Sequence, residues 1–384
     1  MKKTALIFIS VLMVALLCMA CAQEEEAPAA TQVVSEVASA EPVSTESSDW
    51  EEVDDGAPEN VSPVTGMEGT TTVYKPIVVQ IENEYDARPQ AGLQYADIVY
   101  ETLIEGWDTR FTCVFNDIIY SADSPDQIEV GPVRSSRYYS QWIQSEWDGL
   151  YVHIGGANTP GVESNIWGAS SEHIKQRING TLPNAENADL IYRRSGTGKA
   201  LEHTAYTDLA MDAEIINYEP VQLQSFNYYP LESYDEEPEI EKVEMAWWYT
   251  KNDKVDFVEY RYDAEKDKFI RSMLDVEFIA EETGEPVEVQ NVIIQYTQNS
   301  DFPQEDGRKK IELFGSGKAE FFIHGKHMTG TWERQDSTVS TTYYLENGEE
   351  VTLVPGNTWI EIYPEDKRVA VTHVDGTEEI VNGN

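Results

Sequence analysis

Val243-Glu-Met-Ala-Trp-Trp-Tyr-Thr250 sets Val243, Met245, Trp247 and Tyr249 against Glu244, Ala246, Trp248 and Thr250. Apolar residues at a period of two describe a β-strand with one face turned to a core. The same alternation continues downstream, where Val258, Tyr260 and Tyr262 face away from Glu259 and Arg261. Further strands are predicted at 289–296, 318–323, 328–333, 340–345, 359–363 and 369–374. Asn347-Gly348 and Asp375-Gly376 supply hairpin turns between them. The region 241–380 therefore reads as an antiparallel β domain.

Upstream the pattern is mixed. Ile77-Val-Val-Gln-Ile81 after Pro76, Ile98 to Leu103, Arg110 to Phe115 and Leu150 to Ile154 read as strands. Tyr138, Trp142 and Ile143 stand at helical spacing between Arg137 and Trp147, and Thr207-Asp208 caps a short helix through Leu209, Met211 and Ile215. Residues 73–227 thus predict a mixed α/β domain. A Pro- and Glu-rich stretch at 228–240 reads as the linker to the second half. The predicted class is α+β: a mixed α/β N-terminal domain followed by an antiparallel β-rich C-terminal domain.

Residues 22–72 carry Asp or Glu at 13 places and neither Lys nor Arg. One-signed charge with low hydrophobicity predicts an extended, disordered stalk. Before it, Lys2-Lys3 precedes an uncharged apolar run from Thr4 to Ala20 that closes on Cys21. A basic start, an apolar middle and a small residue before the cut describe a secretory signal over 1–20. The cysteine at the cut resembles the lipidation site of bacterial lipoproteins, which implies a lipid anchor on Cys21 at the outer face of the cell membrane. Net charge is −43 over 384 residues. Such a surface repels nucleic acid, so none is expected as a partner. Cys18 would leave with the signal and Cys21 would carry lipid. Cys113, alone in Phe111-Thr-Cys-Val-Phe115, reads as a small core residue rather than a nucleophile.

Several spaced motifs stand out: Ala87-Arg-Pro-Gln-Ala-Gly-Leu93, Ala96-Asp-Ile-Val-Tyr-Glu101, Thr109-Arg-Phe111, Gly131-Pro-Val-Arg-Ser-Ser-Arg137 and His153-Ile-Gly-Gly156. Gly315-Ser-Gly-Lys-Ala319, Gly330-Thr-Trp332 and Pro355-Gly-Asn-Thr-Trp-Ile360 follow in the second half. In this order and spacing the chain resembles the YerB-like lipoproteins of Gram-positive bacteria, over residues 75–364. The resemblance implies a lipidated extracytoplasmic protein with two family domains, and it implies no activity. In one departure, members often carry Pro-His-Asn before a Tyr-Thr pair where this chain reads Glu202-His-Thr-Ala-Tyr-Thr207. His203 and Tyr206 persist there, and the asparagine is missing.

Read physically, Arg88, Arg110, Arg134 and Arg137 fall within fifty residues of a very acidic chain, each beside a turn or strand end. Arginine suits bidentate capture of carboxylate or phosphate. These four, with His153 at the rim, are the candidate binding site for an anionic envelope ligand. The alternative is that they pair internally with Glu82, Glu101 and Glu105. A second functional reading makes the protein a wall-polymer or peptide enzyme using His153, His203 and Glu101. Neither H-E-x-x-H nor G-x-S-x-G occurs. Ser195-Gly-Thr-Gly-Lys199 lacks the leading glycine of a phosphate loop, and His324 and His327 would point to opposite faces of a strand. No metal and no cofactor is therefore expected. The C-terminal domain is expected to contact an envelope partner.

Overall fold

A computed structural model of the protein describes residues 58–181, 187–249, 255–303 and 307–383. All of these lie within one unit, Val53–Asn384. The signal, Cys21 and most of the predicted stalk lie outside the described residues.

The first half supplies β1 (Ile77–Glu82), β2 (Ile98–Leu103), β3 (Thr109–Phe115), β4 (Leu150–His153) and β5 (Arg177–Asn179). The helices α1 (Tyr138–Trp147) and α2 (Leu209–Glu214) accompany them. The second half supplies β6 (Ile240–Tyr249), β7 (Val255–Asp263), β8 (Lys268–Met273), β9 (Asn291–Thr297) and β10 (Gly315–Ile323). It continues with β11 (Lys326–Arg334), β12 (Thr342–Leu345), β13 (Thr358–Pro364), β14 (Val369–His373) and β15 (Glu378–Asn382). Strand makes up 40% of the described residues and helix 12%, so the protein is β-rich and the α+β description holds only loosely.

Strands from both halves build one ten-stranded sheet, in the order β12-β11-β10-β9-β13-β2-β3-β1-β4-β5. The join is β13, which runs parallel to β9 on one side and to β2 on the other; Thr358 is opposite both Asn291 and Ile98. The sequence reading of a purely antiparallel second half is corrected here. Alternation identifies a strand and its buried face, but neither its neighbour nor its direction. A seven-stranded sheet built around β8-β7-β6-β14-β15 packs on the first.

Side-chain parity explains the two cores. Val99, Leu103, Phe111, Trp359 and Tyr363 face the second sheet and pack with Val243, Met245, Trp247, Tyr260 and Phe269. Ile98, Tyr100, Ile360 and Ile362 point the other way, onto Tyr139, Ile143 and Trp147 of α1. Each core draws on both halves of the chain. The stretch 228–240 also departs from a loose linker. Tyr228 is buried, its hydroxyl donates to the Val64 carbonyl at 2.6 Å, and Tyr234 donates to the Thr352 carbonyl at 2.8 Å. Residues 58–72, read from composition as the end of the stalk, belong to the folded body. Ser62 and Thr65 donate to the Asp117 carboxylate at 2.7 and 2.5 Å, and Val64 is 1% exposed.

Candidate functional site

The charged site forms where β1 and β2 end and β3 begins. Glu82 closes β1 and lies opposite Arg110 of β3. The segment 131–137 runs beside that end: the Arg134 amide donates to the Gln80 carbonyl and the Glu82 amide to the Pro132 carbonyl. Its entry requires glycine. Gly131 has φ 158°, and a Cβ there would stand 2.7 Å from the Tyr206 ring.

Three arginines converge. Arg134 Nε lies 2.8 Å from Glu82 Oε1, and Arg134 also donates to the Glu202 carbonyl. Arg137 grips Glu105 with two guanidinium nitrogens, Nε at 2.8 Å from Oε1. Arg110, 5% exposed, donates to the Ser135 carbonyl at 2.6 Å. Among the described residues no carboxylate lies within ion-pair distance of it. Burial, with Arg137 and Arg134 adding to it, pulls the Arg110 pKa down to about 9. At Glu105 burial alone would raise the pKa, but the hydrogen bond and charge of Arg137 reverse this and hold it low. Burial raises Glu82 despite His203 and Arg134 beside it.

The other expected members lie elsewhere. Arg88 turns toward the second sheet, donating to the Asn83 carbonyl at 2.8 Å and lying over the Phe278 ring at 4.5 Å. It does not join the cluster, because the planar cation finds aromatic faces there. His153 is fully enclosed rather than at a rim. Its Nδ1–H donates to the Gly155 carbonyl at 2.8 Å, and burial brings its pKa down to about 3. The proposed catalytic trio is not assembled either. Glu101 is bound by Arg271 at 2.6 Å and by Asn83 at 3.0 Å, whereas His203 Nδ1 is bonded to Glu82 at 2.8 Å. Every acid–base candidate is thus committed to a different partner.

Residues 64–220 match the N-terminal domain, and residues 244–360 the C-terminal domain, of a protein family described as of unknown function (DUF3048). The chain belongs to the DUF3048 family. It is 30% identical over 328 residues to "Putative lipoprotein YerB" of Bacillus subtilis strain 168, covering 84% of this chain and 92% of that protein. The crystal structure of the Bacillus subtilis YerB protein superposes with a TM-score of 0.64 at 29% identity, over 79% of this chain and 96% of that one. The second DUF3048 match stops at residue 360, inside β13, so β14 and β15 lie beyond it.

Sequence reasoning missed two fully enclosed charges of this DUF3048 chain. Arg271 on β8 and Glu361 on β13 are both 0% exposed, and Glu361 lies in register with Glu101 on the neighbouring parallel strand. Tyr260 donates its hydroxyl to Glu361, and Arg271 stacks 4.0 Å over the Phe278 ring. Parity could have revealed them. Phe269-Ile-Arg-Ser-Met273 and Trp359-Ile-Glu-Ile-Tyr363 each carry a charge at the same phase as their inward-facing aromatic.

Proposed function

We propose that this protein is a lipid-anchored lipoprotein of the outer face of the cell membrane that binds an anionic envelope ligand at Arg110, Arg134 and Arg137. One observation carries the binding reading: three guanidiniums converge on two directly paired carboxylates, which leaves the Arg110 charge without a counter-ion of its own. In a chain of net charge −43 a further glutamate could easily have filled that place. A carboxylate or phosphate reaching between Arg134 and Arg137, whose side chains are 25% and 17% exposed, would supply the missing negative charge. The anchor rests on the Cys21 signal and on the relative's name. Arg88 and His153 fall outside the site.

The test titrates the full chain and Arg134→Lys with inorganic phosphate by calorimetry. Lysine keeps the charge opposite Glu82 but loses the planar fork. One charge-assisted hydrogen bond contributes roughly 1.5–3 kcal/mol, so affinity should fall about tenfold or more while the melting temperature holds. Absence of phosphate binding to the parent chain, or equal binding by both, would remove the reading.

A further inference from the structure

Glu82, Glu84 and His203 bring one donor atom each to within 4.8 Å of one another. We propose that this trio is a site for a divalent transition-metal ion, with zinc the best fit to one imidazole and two carboxylates. It shares Glu82 with the arginine cluster but does not depend on the ligand reading of those arginines.

The geometry is close to that of a bound site. His203 Nδ1 and Glu82 Oε2 are 2.8 Å apart, both on side chains that are nearly enclosed, 4% and 3% exposed. Two ligands of a tetrahedral zinc with bonds of roughly 2.0–2.2 Å stand about 3.3 Å apart. An ion would enter by replacing the shared hydrogen and widening that gap by about half an ångström. Glu84 is partly exposed, on extended backbone (φ −63°, ψ 145°), and so is able to turn onto the ion from the solvent side.

The surroundings are those that ligands require. Glu82 divides its oxygens: Oε2 meets His203, while Oε1 lies 2.8 Å from Arg134 Nε. A ligating carboxylate normally keeps such an outer partner, so Arg134 has no need to leave. On the far side of the imidazole, His203 Nε2 faces the Glu202 carboxylate at 4.0 Å. That is beyond hydrogen-bond distance, but a small turn of this exposed side chain would bring it onto the second ring N–H of a metal-bound histidine. Two carboxylates and a neutral imidazole balance the ion's double charge. His203 is the one imidazole of the group.

The experiment uses the full chain, stripped with a chelator and dialysed, then titrated with Zn²⁺ by calorimetry and with Co²⁺ by visible absorption. One ion per chain is expected, with the intense visible band of tetrahedral cobalt. Glu84→Gln keeps the shape of a partly exposed side chain and should fold as the parent does. It and His203→Gln should each lower affinity at least tenfold. If the parent chain takes up no zinc, or if both variants titrate like it, the ion is not held by these residues and the proposal fails. Weak cobalt binding with an octahedral spectrum would likewise assign the ion to the acidic surface.

Discussion

Arg271 carries its charge wholly out of contact with solvent. Its guanidinium meets Glu101 at 2.6 Å and Tyr260 at 3.2 Å between the two sheets. Burial works against that charge, but Glu101, Tyr260 and Glu361 outweigh it and keep the group protonated. Burial first, and Glu101 next, push the Glu361 carboxyl well above its ordinary range. A group raised in this way stabilises the fold fully below the ordinary carboxyl range and loses that contribution as pH rises through its folded value. Arg271→Met should cost about 3–5 kcal/mol at pH 7, because it strands Glu101. A buried carboxylate that has lost its cation is costly only while it is charged, so the deficit should shrink on acidification toward pH 4.5. Denaturant unfolding at both pH values checks this. An equal deficit at the two would assign the loss to packing. The arginine pairs Arg134–Glu82 and Arg137–Glu105 were legible as an alternative in the sequence. Which glutamate each would take was not, because that depends on how 131–137 lies along β1.

At the scale of elements, alternation located most strands to within a few residues. Residues 98–103 and 359–363 were read nearly as they stand in β2 and β13. β8 and β15 went unread, since charges at Lys268, Arg271, Glu378 and Glu379 obscure their period. Pairing was invisible. β13 has the seam role because Trp359 and Tyr363 serve one core and Ile360 and Ile362 the other, and a strand apolar on both faces belongs inside a sheet. Fragments 53–240 and 241–384 produced separately should therefore each lack a sharp thermal transition, and mixing them should restore one. A fragment that melts alone as cooperatively as the whole chain would show a self-sufficient core instead. The strap at 228–240 should resist protease as long as the fold holds, since its tyrosines are tied down on both sides.

For the whole molecule, net charge governs attachment. At −43 the chain is repelled by anionic lipid, and among the described residues no helix is long and apolar enough to cross a membrane. On the proposed lipid anchor, Cys21→Ala should move the protein from the membrane fraction to the soluble one, with its unfolding transition unchanged. Retention after a high-salt wash would mean a second hold on the membrane. Neither charge nor pattern revealed that the folded body begins before residue 72, because Ser62 and Thr65 look like spacer until Asp117 is placed beside them.

The seam strand also sets an order in time. The ribosome finishes β2 at Leu103 and reaches β13 only at Thr358, 358 − 103 = 255 residues later. At roughly 5–20 residues per second that is a wait of about 13–50 s. Throughout it, the early strands have an open flank that only the end of the chain can close. A nascent chain of this protein is therefore unfinished as a fold until it is nearly finished as a polymer. A message that stops short of Thr358 would yield adhesive fragments rather than a smaller working protein.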